Sequence, residues 1–179
     1  MNKKISFWQM VGFLFVSILG TGLHFFFDLT GGWIGAAIFS AVNESIWEHM
    51  KLLFYPMLIF ALIQRRFLGG TQENFWCVKA TGILVGLIVI PLLYYTYTGI
   101  LGVSADWFNI TIFFLAAGFS YWLETKLFQL PFFCDGKEKY AVASIFAWIV
   151  LFTVFTFCPP HIPFFRDPIA QTYGYFQRR

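Results

Sequence analysis

The apolar stretch at residues 75–95, FWCVKATGILVGLIVIPLLYY, decides the class of the fold. Its 21 positions contain one charged side chain, Lys79. An α-helix needs about 20 apolar residues to cross ~30 Å of hydrocarbon at ~1.5 Å per residue. The run is continuous rather than alternating, and it is too long for a strand of a membrane barrel. It therefore predicts a transmembrane helix.

Four further apolar runs of similar length lie on either side of this stretch. We place them at residues 5–27, 42–63, 107–127 and 140–157. The chain is 59% hydrophobic and 12% charged, which is more apolar surface than a soluble domain of 179 residues could bury. Short loops and the lack of repeats indicate one domain, residues 1–179. The sequence thus predicts an all-α, polytopic transmembrane bundle of about five spans.

Basic residues set the expected orientation of the bundle. The first run is too long for a signal peptide and lacks a cleavage site, so we expect an uncleaved anchor. With the N-terminus inside, eight basic residues fall on the cytoplasmic side (Lys3, Lys4, Arg65, Arg66, Lys79, Lys126, Lys137, Lys139) and four fall outside (Lys51, Arg166, Arg178, Arg179). This division predicts a cytoplasmic N-terminus and an external C-terminus. It also accounts for the net charge of +3 without a nucleic-acid partner.

The three cysteines show no metal-binding spacing. Cys77 and Cys134 are expected near the cytoplasmic face, where a disulfide would be reduced, and Cys158 near the outer face. We therefore expect all three to act as small apolar residues in the packing of the bundle.

A polar segment interrupts the apolar pattern at residues 40–51, SAVNESIWEHMK. Glu44, Glu48, His49 and Lys51 bring four ionisable side chains into eight positions. Each costs roughly 2.5–3.5 kcal/mol at the middle of a bilayer, so together they need water, partners or a ligand. If the helix is continuous here, Glu44, Glu48 and Lys51 share one face and His49 lies about 100° round from Glu48.

The other two histidines are expected at the same membrane face. His24 lies about 30 Å from Lys4 along the first helix, with Asp28 one turn later. His161 follows the fifth span behind a Pro-Pro pair, and residues 162–165 are apolar enough to fold back onto the bundle with Asp167. A short helix at residues 34–41 would cap the resulting pocket. We expect His24, Glu48 and His49 to approach one another closely.

This group of residues is compatible with a zinc site. His24, His49 and His161 could hold Zn²⁺ with water at the fourth position, while Asp28 orients His24. The candidate catalytic residues are Glu44, Glu48 and Lys51, with one glutamate as general base.

Two other interpretations stay open. Glu48 and Lys51 at i,i+3 could simply neutralise each other in a structural network. The glutamates and histidines could also form a proton or cation relay with Lys51 as counter-charge and a kink at Pro56, as in a small transporter. A membrane accessory or binding subunit, or a homo-oligomer, would fit the same residues.

The motif at residues 43–51, NESIWEHMK, together with His24-x-x-x-Asp28, resembles a family of small five-span bacterial membrane proteins of unknown function. The resemblance implies a bacterial cytoplasmic (inner) membrane and carries no reaction with it. More distantly, the pattern is similar to CAAX-type intramembrane proteases, although their adjacent glutamate pair is missing. It is also similar to alkaline ceramidase-like zinc hydrolases, which have more spans. The sequence therefore favours a metal-dependent membrane hydrolase that acts on a lipid or lipidated substrate.

Overall fold

The fold is a bundle of five long helices and one short one, in a computed structural model that describes residues 3–68, 74–130, 133–134 and 136–176. In chain order the helices are α1 (Lys3–Leu29), α2 (Ile34–Phe39), α3 (Ile46–Leu68), α4 (Phe75–Leu101), α5 (Asp106–Leu127) and α6 (Glu138–Phe157), followed by a 3₁₀ turn at Pro163–Phe165. Within those ranges the only β-structure is an isolated bridge between Arg166 and Tyr173. The all-α prediction is confirmed.

Four of the helices, α1, α3, α4 and α6, are long and apolar enough to cross a membrane. Helix α5 coincides with the fourth predicted run and is 22 residues long, but it falls short of the others in hydropathy. Large apolar side chains such as Ile18 and Ile100 are exposed on the flanks, where lipid would surround them. These features fit a helical membrane bundle. Arg178 and Arg179, two of the basic residues counted to predict the orientation, lie outside the described residues.

The second long helix begins later than predicted. Residues 40–45 form an irregular connection, and helix α3 starts only at Ile46. The side-chain oxygen of Asn43 accepts the backbone N–H of Ser45 at 3.0 Å, and the Ser45 hydroxyl accepts that of Glu48 at 3.4 Å. These bonds satisfy donors that a helix start leaves open. Glu44 therefore precedes the helix and does not share a helical face with Glu48 and Lys51.

The short helix predicted at residues 34–41 is present as α2. It lies at the end of the bundle where α1 ends and α3 begins, which we call the outer end after the predicted orientation. Two glycines with positive φ, Gly31 at 65° and Gly32 at 77°, turn the chain at the end of α1. Helix α2 ends at Ser40, whose hydroxyl donates to the carbonyl of Ala36 at 2.7 Å.

Helix α3 lies at the centre of the bundle and packs against α1, α4 and α6. Helix α4 also packs against α5, and two glycines of α4, Gly82 and Gly86, lie at this contact. A β-carbon on Gly82 would collide with the carboxyl group of Glu124, and one on Gly86 would collide with the hydroxyl of Ser120. Only glycine fits at these two positions without displacing the facing side chains.

The prolines lie inside continuous helices, Pro56 in α3 and Pro91 in α4. Because Pro56 has no N–H, it cannot donate to the carbonyl of Leu52. Helix α1 passes close to that carbonyl, since a β-carbon on Gly20 would lie 2.6 Å from the Leu52 oxygen.

Two of the three cysteines do not act as the small apolar thiols that the sequence predicted. Cys77 in α4 and Cys134 after α5 form a disulfide with a Cα–Cα distance of 6.1 Å, while Cys158 is free and exposed. Fifty-seven residues separate the two half-cystines in sequence, so local spacing could not reveal the pair.

The C-terminal segment folds back over the outer end of the bundle, as predicted. Phe165 is buried, with its ring centroid 5.0 Å from that of Trp47 and 5.2 Å from that of Phe155. Tyr175 is also buried, and its hydroxyl donates to the carbonyl of Gly32 at 3.2 Å. These contacts fix the segment across the outer ends of α1, α3 and α6.

Candidate functional site

A cavity of about 700 Å³ opens at the outer end of the bundle. Its walls come from α1, α3, α4 and α5, and residues of the C-terminal segment border it. Most of the wall is apolar, with side chains such as Leu52, Ile90 and Phe113. The main polar side chains are His24, Glu44, His49, Asp106 and Asn109. A largely apolar pocket with a few convergent polar groups is typical of a ligand-binding site.

Three of these polar residues meet at one point in the wall. His49 Nε2 lies 3.3 Å from one Glu44 carboxylate oxygen, and His24 Nε2 lies 3.9 Å from the other. One nitrogen or oxygen of each residue falls within 4.8 Å of the others, and the two imidazole centroids are 5.3 Å apart. The side chains are 29–41% exposed. We call His24, Glu44 and His49 the outer cluster.

Each member of the outer cluster is held by a different element. His24 lies in the last turns of α1, and His49 lies in the first turn of α3. Glu44 belongs to the connection before α3, where its backbone N–H donates to the Asp167 carboxylate at 3.1 Å. His49 Nδ1 lies 2.9 Å from the carbonyl oxygen of Ser45. A carbonyl can only accept, so Nδ1 carries a proton; Nε2 donates to Glu44 when the imidazole is protonated and offers a lone pair to a metal ion when it is neutral.

The structure does not bring His161 or Asp28 into the outer cluster. His161 is exposed after α6, and its ring lies 4.6 Å from that of Tyr173. Asp28 is exposed one turn beyond His24. Glu44, expected as a general base, instead lies close to both His24 and His49. Within the part of the chain that the structure describes, the residues close enough together to hold a metal ion are two histidines and one glutamate rather than the three expected histidines.

Glu48 and Lys51 form a separate network inside the protein. Lys51 Nζ lies 2.5 Å from Glu48 Oε2, and both side chains are at most 2% exposed. The ammonium group also donates to the Ala37 carbonyl at 2.7 Å and to the Thr156 hydroxyl at 2.9 Å. Glu48 accepts the Thr156 hydroxyl at 2.9 Å and the Val42 N–H at 3.0 Å. Its hydrogen bonds join α2, α3 and α6. Neither Glu48 nor Lys51 lines the cavity.

A second buried network lies in the opposite half of the bundle. Lys79 Nζ is 2.6 Å from Glu124 Oε2, and both side chains are fully buried. Gln9 donates to the same carboxylate oxygen at 3.0 Å, and Gln64 donates to Gln9 at 3.1 Å. Sequence reasoning missed this network, although the lone charge of the run at residues 75–95 and an acidic residue in the run at residues 107–127 are a signal that the two could pair.

Sequence reasoning also missed the contribution of the α4–α5 connection. Asp106, the first residue of α5, lines the cavity. Nearby, the Tyr97 hydroxyl donates to Asn109 at 2.5 Å, and Asn109 donates to the Ser104 hydroxyl at 3.2 Å. These hydrogen bonds join the outer ends of the two helices and fix the wall that carries Asp106.

Family comparison covers almost the whole chain, since residues 1–175 match the pattern of DUF6512. The chain belongs to this family. DUF6512 is described as a family of unknown function, so membership supplies no reaction or ligand. Comparisons with curated proteins and with solved structures find no match. The functional argument therefore depends on the geometry of the cavity and the outer cluster.

Proposed function

We propose that this protein is a metal-dependent membrane hydrolase that acts on a lipid or lipidated substrate. The observation that carries the proposal is the outer cluster: two imidazoles and one carboxylate within 4.8 Å of one another in the wall of a large, mostly apolar cavity. Two histidines and one glutamate are a donor set used by catalytic zinc, which keeps a fourth position for water or substrate.

The three side chains suit a divalent cation for two reasons. Each comes from a separate element whose position is fixed, and the Nδ1 contact of His49 with a backbone carbonyl is the usual outer support of a metal-binding imidazole. When bound, such an ion polarises a carbonyl or phosphoryl oxygen and lowers the pKa of its water to about 7. His24 and His49 would bind through nitrogen and Glu44 through oxygen.

With Glu44 in the ligand group, the remaining carboxylate of the cavity wall is Asp106. We assign it as the general base that accepts the proton of the attacking water. The apolar part of the wall, which includes Ile112, Phe113 and Phe114, supports an acyl-bearing substrate because it would shield a hydrocarbon chain from water.

We also propose that the cavity opens at the external face of a bacterial inner membrane. The basis is the excess of basic residues at the opposite end of the bundle, where α1 begins, α3 ends and α4 begins. In this orientation the substrate would enter from the outer leaflet.

Metal titration of the purified protein tests the proposal. After treatment with EDTA, the protein should bind about one equivalent of Zn²⁺ and release it as pH falls through the histidine range near 6.5. His24→Ala, Glu44→Gln and His49→Ala should each reduce the affinity by more than about 100-fold. His161→Ala is the matched control, since His161 lies outside the outer cluster, and it should leave the affinity unchanged.

Two results would overturn the metal site. One is weak binding that the three cluster variants do not alter, and the other is an equal loss in His161→Ala. For the hydrolase assignment, Asp106→Asn should retain Zn²⁺ but lose ester or phosphoester hydrolysis of membrane lipids by at least about 100-fold. Unchanged turnover in Asp106→Asn would remove Asp106 as the base.

A proton- or cation-coupled transporter is the second candidate, and the buried network around Lys79 and Glu124 favours it. That network places ionisable groups in the half of the bundle opposite the outer cluster. A transporter predicts that Glu124→Gln abolishes proton movement into reconstituted vesicles and that the wild type binds no stoichiometric Zn²⁺. The metal titration therefore separates the two candidates.

A further inference from the structure

Next to the main cavity lies a smaller one of about 340 Å³. The two cavities share three wall residues, Ile46, Tyr94 and Pro168, so they adjoin each other. The smaller cavity differs in character, because Arg166 and the polar side chains of Tyr95, Thr98 and Gln171 line it.

The charge of Arg166 is not compensated in its surroundings. No carboxylate lines the smaller cavity, and none of the four ion pairs found among residues 3–68, 74–130, 133–134 and 136–176 includes Arg166. The neighbouring Asp167 is 5% exposed and directs its carboxylate to the backbone N–H groups of Glu44, Ile169 and Ala170 at 2.7–3.1 Å. The smaller cavity thus holds a net positive charge.

The backbone that carries Arg166 is fixed from both sides. The Arg166 N–H donates to the carbonyl of Pro163 at 3.2 Å, and the residue forms a β-bridge with Tyr173. The preceding residue, Phe165, is buried among aromatic rings. The side chain of Arg166 is exposed at this pocket, and a guanidinium group can present a planar pair of donors to a phosphate.

We infer that the pocket around Arg166 is a phosphate-binding subsite for the anionic headgroup of a membrane lipid whose acyl chains occupy the main cavity. The pocket lies where α3 begins and α4 ends, at the end of the bundle where lipid headgroups would lie, which supports a lipid rather than a soluble phosphate. This inference rests on the proposed function and specifies its substrate class as an anionic phospholipid.

Lipid binding by the full-length protein in detergent micelles tests the subsite. The probes are phosphatidylglycerol, zwitterionic phosphatidylcholine and inorganic phosphate, all with EDTA present. The wild type should bind phosphatidylglycerol at least about tenfold more tightly than phosphatidylcholine, and Arg166→Gln should lose about tenfold to 100-fold in phosphatidylglycerol affinity alone. Arg66→Gln removes the same charge from the opposite end of the bundle and should change neither affinity.

Three outcomes would overturn the inference. The first is equal phosphatidylglycerol affinity in the wild type and Arg166→Gln, and the second is an equal loss in Arg66→Gln, which would indicate bulk electrostatics. The third is displacement by inorganic phosphate at low millimolar concentration, which would indicate a site for free phosphate. If Arg166→Gln melts at a lower temperature, Arg166→Lys serves instead, because it keeps the charge but loses the paired donors and should weaken phosphatidylglycerol binding several-fold.

The failure of this inference can be told apart from failure of the proposed function. EDTA makes the lipid assay independent of the outer cluster, so a protein that binds no Zn²⁺ would still show the lipid preference. A protein that binds Zn²⁺ without any preference for the anionic lipid would retain the metal site and lose only the subsite.

Discussion

The outer cluster and the Glu48–Lys51 pair each join a glutamate to basic side chains, yet they differ in burial and in access to the cavity. Lys51 has three acceptors for its three protons, and both oxygens of Glu48 have donors. The outer cluster is 29–41% exposed, against at most 2% for the pair, and it faces a cavity of about 700 Å³. Burial and access to the cavity, rather than the presence of ionisable residues, distinguish a structural network from a candidate site.

The largest effect should come from breaking the buried pair. Lys51→Met leaves the Glu48 carboxylate buried without its cation, and removing one partner of such a pair costs about 3–5 kcal/mol. We expect a strong fall in the unfolding temperature in detergent. The matched variant in the outer cluster, His49→Ala, should change the stability of the metal-free protein by less than about 1 kcal/mol, because a half-exposed side chain can be replaced by water.

A double variant sharpens this comparison. Glu48→Gln combined with Lys51→Met removes both charges and should recover more than half of the lost stability. Equal destabilisation by Lys51→Met and His49→Ala would contradict the distinction between the two regions, and so would a double variant that is no better than Lys51→Met alone.

The sequence predicted the helical class, the short outer helix and the return of the C-terminal segment, because these depend on long apolar runs and on Gly and Pro signals. It did not reveal the position of Glu44 beside both histidines. That position depends on helix α3 beginning at Ile46 rather than near residue 42, and helix ends are set by local caps that periodicity does not resolve.

Contacts between distant residues were also hidden. Asp167 binds the backbone of Glu44 across 123 positions, and Gln9 meets Glu124 across 115. Each of these polar residues is unremarkable in its own segment, so only the packing of the helices reveals its partner. His161 shows the converse, because closeness in depth did not bring it into the outer cluster.

Adding a methyl group should change the stability of the protein moderately, and in opposite directions in the dense packing around Lys79 and Glu124 and on the open surface near the outer cluster. A β-carbon at Gly82 would collide with Glu124, whereas one at Gly22, in the outer half of α1, would meet nothing within 4 Å. Gly82→Ala should therefore destabilise the protein by about 1–3 kcal/mol. Gly22→Ala should stabilise it by about 0.5–1 kcal/mol through its better helix propensity. Thermal unfolding of both variants checks the pair, and equal shifts of the same sign would show that packing is uniform across the bundle.

The smallest effect on stability, and the most informative one for orientation, concerns the cysteines at the two ends of the bundle. The expected cytoplasmic N-terminus places Cys77 and Cys134 in a reducing compartment, where their disulfide would open, and it places Cys158 outside. Cys77→Ser should then change stability in intact cells by no more than about 0.5 kcal/mol. A maleimide that cannot cross the membrane should label Cys158 in intact cells and reach Cys134 only after permeabilisation. The orientation would be the reverse if Cys158 were labelled only after permeabilisation and the Cys77–Cys134 bond persisted in freshly alkylated cells. The cavity with its outer cluster would then face the cytoplasm.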